Sequence, residues 1–252
     1  MNRVASRPRS YVGVKGPDAL DFLQRMVSND VSQASCEALL LTAKARVIAP
    51  LLVWRRGEDD YLLLTEPELG EIVRAYLTRM RLRANVEIAL EEHTSVIVLG
   101  GKEGIPTVDY GLPAVEVLDA DLEPTMSDEK LELERIRAGT PRWGREIDDR
   151  ILPAEAGLDE RAISFTKGCY PGQEPVARLR HRGRANRGLR VLDIDGDVLP
   201  PYDTEFVYEG KVVGRVTSAS RDGDSIVALG YVRREVPDDA VLEVGTAVAR
   251  QR

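Results

Sequence analysis

Between Lys167 and Arg190 the chain reads KGCYPGQEPVARLRHRGRANRGLR, and this stretch holds the residues best suited to chemistry. Cys169 offers a thiol, which reacts as its thiolate, and nearby cations or a helix N-terminus stabilise that negative charge. Lys167 precedes it by two positions. Arg178, Arg180, Arg182, Arg184, Arg187 and Arg190 follow, with Glu174 as the local counter-charge. Pro171 and Gly172 have the residue types for the centre of a type II turn, because proline presets φ and glycine accepts the positive φ that follows. Gln173 and Glu174 then lead into Pro175, which is tolerated in a first helical turn. Val176 and Leu179 recur at helical spacing up to Gly183, so the pattern predicts a loop followed by a short helix. A free cysteine also packs well as a small buried hydrophobe. With Gly168 and Tyr170 as neighbours in a polar loop, Cys169 reads instead as a functional thiol.

The remaining inventory limits what that thiol can do alone. Cys36 and Cys169 are the cysteines, and His93 and His181 the histidines. A self-contained four-thiolate iron–sulfur cluster is therefore excluded, and no CxxC or histidine pair points to zinc, so no metal site is expected. Cys36 precedes the apolar run ALLL and reads as structural. Across 252 residues the net charge is −7, so the arginines after Cys169 stand against an acidic background. That contrast suits an anionic ligand and gives no sign of specific nucleic-acid binding. Neither a Walker A loop nor a GxGxxG follows a predicted strand. No apolar run approaches the roughly 18 residues needed to span a bilayer, and the basic opening MNRVASRPRS lacks an apolar h-region. The expected location is the cytoplasm, without a membrane partner.

The elements that must hold the loop follow from periodicity. Strands are predicted at SYVGV, CEALLLT, RVIAPLLVW, YLLLT, NVEIAL, TSVIVLG and AVEVLD. Gly16-Pro17-Asp18 opens a helix whose Leu20, Phe22, Leu23, Met26 and Val27 form one apolar face, ended by Ser28-Asn29-Asp30. A second helix starts around Thr65 to Glu68, with Leu69, Ile72, Val73, Tyr76, Leu77 and Met80 toward a core. A third runs from Ser127 to Gly139, carrying Arg135, with Trp143 just beyond it. From Arg187 the pattern turns to short β runs, LRVLDI, EFVYEG, KVVGRVTSAS, SIVALGYV and VLEVGTAV, which predict a small β-barrel. The expected class is α+β, without the repeated βα rhythm of a doubly wound sheet.

These residues also resemble a known family. KGCYPGQE followed by VAR is similar to the signature of the YgfZ family of folate-binding proteins. That family is associated with the maturation and repair of iron–sulfur proteins and is related to the glycine-cleavage aminomethyltransferases. GPDALDFLQRMVSNDV, RIRAGTPRWGREID, LPAEAGL and ALGYVRRE resemble it as well, so the likeness covers most of the chain.

The resemblance implies a ring of an α+β N-terminal portion, a second β-rich portion and a C-terminal barrel. It divides the chain into residues 1–185, a folate-binding region of two interleaved α+β subdomains, and 186–252, the barrel. Tetrahydrofolate would occupy a central channel, held by Asn29, Arg135, Trp143, Gln173, Glu174 and Arg178, with Cys169 and Lys167 as the catalytic pair. Arg135, in ERIRAG, matches the arginine of the aminomethyltransferase LRLEAG motif. A guanidinium can bind the carboxylate tail of folate bidentately; an ordinary helical ion pair with Glu132 is the competing reading. One departure matters: where the aminomethyltransferase strand carries a catalytic aspartate, RVIAPLLV has Pro50, which has no proton to give or take. Glycine-cleavage aminomethyl transfer is therefore not expected. Two functions stay open. One is a folate-binding accessory factor for iron–sulfur client or assembly proteins, acting through Cys169. The other is a folate-dependent one-carbon transferase or demethylase with Cys169 as nucleophile or general acid.

Overall fold

Alternation of side chains decides how the first half of the chain folds. The computed structural model describes residues 3–183 and 185–252, the side chain of Arg182 excepted, so Arg184 and that side chain lie outside the described residues. The chain begins with β1 (Arg3–Ser6) and β2 (Ser10–Lys15), then α1 (Ala19–Met26), β3 (Ser35–Leu41), β4 (Val47–Arg55) and β5 (Asp60–Thr65). A 3-10 turn at Pro67–Leu69 leads into α2 (Gly70–Met80), and β6 (Glu87–Glu91) completes an antiparallel sheet in the order β3-β4-β5-β2-β6. On β3 and β4, Ala38, Leu40, Ala49, Leu51 and Val53 point to one face, where they join Phe22 and Leu23 of α1 and Val73 and Leu77 of α2 in the largest core. Leu52, Leu62 and Leu64 point to the opposite face and are buried there with Tyr11 and Ile105. Burial on both faces is why YLLLT is a continuous apolar run.

β1 leaves this sheet and pairs with β7 (Ser95–Leu99). With β8 (Ile105–Thr107) and β9 (Ala114–Leu118) they form a second antiparallel sheet in the order β1-β7-β9-β8. Then come α3 (Asp128–Arg137), a long loop with a 3-10 turn at Pro153–Glu155, and α4 (Gln173–Arg182). Six strands follow: β10 (Arg187–Asp195), β11 (Glu205–Tyr208), β12 (Lys211–Asp222), β13 (Ser225–Arg233), β14 (Val241–Val244) and β15 (Ala247–Gln251). They close into a barrel in the order β10-β13-β12-β11-β14-β15. Phe206 fills its interior. A Cβ on Gly230 would lie 2.4 Å from that ring and 2.6 Å from the Arg215 carbonyl oxygen, so a glycine is needed for the wall to close around it.

The α+β class with a C-terminal barrel is as the sequence predicts, and the differences are local. Ile72 and Met80 face solvent, at 49% and 36% exposure, because Leu69, Val73 and Leu77, four residues apart, define the stripe that docks. VLEVGTAV, one run in the sequence, is two strands hinged at Gly245. Asp18 precedes α1 without capping it, because its carboxylate accepts the Asn85 N–H at 2.7 Å. Strands β1 and β8, short and interrupted by arginine or proline, gave no periodic signal.

Candidate functional site

A cavity of about 610 Å³ lies where the two sheets and the barrel meet. Glu37 and Leu39 of β3 and Pro50 and Leu52 of β4 line it together because residues two apart share a face, and the register sets Glu37 opposite Leu52 and Leu39 opposite Pro50. Pro50 sits in an inner strand at a place where β4 is not yet paired with β5; its carbonyl oxygen accepts the Thr65 hydroxyl at 2.8 Å in place of a ladder bond. The barrel contributes Val216 to Ala219 of β12, and the loop after β8 contributes Asp109 and Tyr110. Trp143 lines the cavity while packing against the cores on either side of it.

The charged wall is largely self-neutralised. Arg161 donates to both Glu37 and Asp109, and Arg7 makes two bonds to Glu66, at 2.6 and 3.2 Å. Burial raises the Glu37 carboxyl above its ordinary value, and the Arg161 contact pulls it back. Arg135 is buried. Its Nε and one terminal nitrogen clasp Glu132 at 2.9 and 2.7 Å; that nitrogen also donates to Ser218 at 2.9 Å, and the other to the Thr140 carbonyl and to Glu146 at 3.0 Å. A guanidinium has five N–H donors, and all five are engaged. Arg135 thus holds α3, the loop after it and barrel strand β12 together at the cavity wall. The pairing with Glu132 is the helical one read from the sequence, but it is buried and part of a larger network.

The cysteine loop lies outside the cavity lining. Gly172 has φ 86° and ψ 0°, and the Gln173 N–H donates to the Tyr170 carbonyl at 3.2 Å, which is the type II turn expected from Pro171-Gly172. Gly172 also caps α4, and a Cβ there would lie 2.6 Å from the Thr42 carbonyl oxygen, so the turn presses on the β3–β4 hairpin. Tyr170 and Val176 anchor the loop in a core, whereas Cys169 is exposed. Lys167 does not stand free beside the thiol: its ammonium donates to the carbonyls of Val27 and Asn29 at 2.8 and 2.7 Å and lies 5.5 Å over the Tyr170 ring. Burial pushes the Lys167 amine down to about 8, partly offset by the charge of Asp30. Asn29 in turn donates to the carbonyls of Glu37 and Arg161 at 2.7 and 3.3 Å, so Lys167 and Asn29 tie the cysteine loop to the cavity wall. Cys36 packs against the main core, and burial drives its thiol up to about 12.

The structure therefore distributes the residues singled out by sequence over three places. Arg135 and Trp143 line the cavity. Cys169, Lys167 and Asn29 belong to the loop and its anchor, with Gln173 and Glu174 in the first turn of α4. Arg178 lines a separate cleft between α4 and β10.

Comparison with known proteins gives this arrangement its relatives. No family model matches the chain. It is 24% identical to an iron–sulfur cluster assembly factor IBA57 homolog, mitochondrial, of Pyricularia oryzae, with 97% of this chain and 75% of that protein covered. It is 25% identical to the tRNA-modifying protein YgfZ of Edwardsiella ictaluri, with 92% and 85% covered. The crystal structure of the glycine cleavage system aminomethyltransferase T from Bartonella henselae superposes with a TM-score of 0.79 at 17% identity, over 96% of this chain and 82% of that one. The chain is YgfZ- and aminomethyltransferase-like.

In this YgfZ-like chain the residues that sequence reasoning passed over are the partners that complete the wall. Glu146 has a side chain fully removed from solvent, and it accepts from Arg135, from Ser218 at 2.7 Å and from the Arg142 backbone at 3.0 Å. Arg161 reaches Glu37 across 124 positions. Both acids and Arg161 stand in stretches without helical or strand periodicity or beside ordinary strand residues. The one available signal was their charge amid apolar neighbours.

Proposed function

We propose that this protein binds reduced folate in the central cavity and serves the assembly or repair of iron–sulfur proteins through Cys169. The observation that carries the proposal is the exposed Cys169 on a rigid loop keyed to the cavity wall by Lys167 and Asn29. A cysteine thiolate is a strong ligand for iron, and a single one completes a cluster only with ligands from a partner, so the cluster is cargo shared with a client. The relatives that are named for iron–sulfur cluster assembly and as YgfZ support that class of client.

The cavity suits folate on its own chemistry. Its volume falls within the range of roughly 300–1,000 Å³ common for small-molecule sites. Leu39, Pro50, Leu52 and Trp143 offer a surface for a flat ring, and the carboxylates of Glu37 and Asp109 suit the amino and amide N–H groups of a pterin. Because the donors of Arg135 are all taken, we assign the carboxylate tail to Arg145, which lines the cavity, lies 5.5 Å over the Tyr202 ring and has no ion pair with a described residue. The Arg7 Nε–H, buried and without an acceptor, is a further donor on the wall. Bound reduced folate would supply a ring nitrogen able to carry a one-carbon unit. The protein's own part is to bind and orient it and to exclude water. Pro50 gives no acid at the wall, and Cys169 does not line it, so neither aminomethyl transfer nor thiol attack on bound folate is favoured.

The test has two arms on one preparation. Tetrahydrofolate should produce a saturable change in Trp143 fluorescence with a matching calorimetric heat, and Cys169→Ser should leave that affinity unchanged while failing to sustain iron–sulfur enzymes in cells lacking the native protein. Absence of saturable binding removes the folate reading. Full support by Cys169→Ser removes the thiol reading.

A further inference from the structure

Outside the central cavity and the cysteine loop there is a further concave surface that neither of them uses. It is a cleft of about 790 Å³ between α4, the loop around Pro153 and β10, and it shares no lining residue with the central cavity. Its floor is aliphatic, from Leu152, Pro153, Val176, Leu179 and Leu189. Around it stand five guanidiniums, those of Arg178, Arg180, Arg187, Arg190 and Arg234, against the two carboxylates of Asp159 and Glu160. Arg187 is engaged by Glu155 at 3.0 Å and Arg190 by Asp238 at 3.4 Å. Arg178 and Arg234 are exposed and form no ion pair with a described residue. In a chain of net charge −7, this local excess of cations above an apolar floor asks for a ligand that is both acidic and apolar.

Two classes of macromolecule carry negative charge, and the lining separates them. Single-stranded nucleic acid is gripped by aromatic platforms on which bases stack. Among the described residues no aromatic side chain lines the cleft, and two other rings are already covered by its arginines, Phe165 by Arg180 at 4.0 Å and Tyr231 by Arg187 at 4.7 Å. An aliphatic floor with an arginine rim fits instead a peptide whose apolar side chains enter the groove while its carboxylates meet the arginines. The position adds a reason for the pairing with the thiol. Val176 and Leu179 of the floor and Arg178 of the rim all belong to α4, the helix that the Cys169 turn caps, so a segment lying along α4 leads toward Cys169.

We propose that this cleft docks an acidic segment of the client protein, one in which glutamates or aspartates alternate with aliphatic residues, and so brings the client to Cys169. The choice of client rests on the reading of Cys169 given above; the docking chemistry rests on the cleft alone.

Fluorescence anisotropy tests it with a short labelled peptide of alternating glutamate and leucine, a lysine–leucine counterpart and an oligouridylate of the same length. The glutamate–leucine peptide should bind saturably and more weakly as salt is added, and the lysine–leucine peptide should not bind. Arg178→Glu with Arg234→Glu should raise its Kd roughly tenfold or more, since both positions then repel the peptide. Arg234→Glu alone should leave the tetrahydrofolate titration unchanged, which shows that the protein is folded. No saturable signal from the glutamate–leucine peptide, an unchanged Kd in the double variant, or tighter binding of the oligouridylate would each overturn the assignment. Peptide docking in a protein whose Cys169→Ser variant still sustains iron–sulfur enzymes supports the cleft and overturns only the choice of client.

Discussion

Two side chains from the sequence motifs turn out to act chiefly through what they hold. Arg135 spends all five donors inside the protein, so Arg135→Ala leaves the fully enclosed Glu146 without its counter-charge and Glu132 with Arg142 as its remaining cation. Breaking a buried pair from one side costs about 3–5 kcal/mol, and urea unfolding should show a loss of that order. Arg135→Lys should recover only part of it, because an ammonium has three donors and no fork. Lys167 makes a pH prediction. Its half-buried amine is pushed down to about 8 from the ordinary 10.5, so between those values the unfolded chain keeps a proton that the folded one has released. Stability should therefore rise with pH across that window and level off below pH 8, where both states are protonated. Lys167→Met should flatten the rise in a series of urea titrations over that range.

At the scale of elements, the turn and helix after Cys169 form one unit. Pro171 and Gly172 set the turn, the turn caps α4, and α4 buries Val176 in the same core as Tyr170. Gly172→Ala places a side chain at φ 86° and brings its Cβ within 2.6 Å of the Thr42 carbonyl oxygen. The strain of positive φ costs about 1 kcal/mol, and the collision adds to it, so the turn should lift from the β3–β4 hairpin. Hydrogen exchange should then rise at the amides of Gln173 and Val176, while those of β4 stay protected. Unchanged exchange in α4 would show that the helix holds without its turn.

For the whole molecule, the barrel is fastened to α3 and the loop after it by an apolar cluster of Ile136 with Val227 and Leu229, by polar contacts at Glu146 and by ion pairs at the surface. The Tyr231 hydroxyl donates to the Glu146 carbonyl at 2.7 Å, Ser218 donates to the Glu146 carboxylate, and Arg137 of α3 pairs with Asp222 at the end of β12. Tyr231→Phe removes one of these from a buried site and leaves the Glu146 carbonyl unsatisfied, a loss of about 1–3 kcal/mol. Combined with Ser218→Ala, it should cost less than the sum of the single changes, because losing either contact already loosens Glu146 for the other, and the double variant should unfold in two steps as the barrel releases first. A double-mutant cycle by calorimetry measures both effects. A single sharp transition with additive losses would mean that the apolar contacts alone couple the parts.

What the sequence by itself determined is local. The Pro171-Gly172 turn, the helix that follows it, the strand runs of the first sheet and the barrel, and the lack of a proton on Pro50 all depend on dihedral preference, two-residue or helical periodicity, and residue chemistry. Each can be read within a window of about a dozen residues. The resemblance of KGCYPGQE and its companion stretches then pointed to the right relatives. The tertiary structure decided which charges meet: Arg161 with Glu37, Arg135 with Glu146 and Ser218, Lys167 with the carbonyls of Val27 and Asn29 instead of with the thiol two residues away. It also decided that Ile72 and Met80 stay in water and that Arg178 faces a cleft of its own. A charged side chain carries no periodic mark of its partner, because the partner is set by which faces of distant elements pack together. That packing is fixed by the apolar residues around the charge, and only the folded chain brings them to one place.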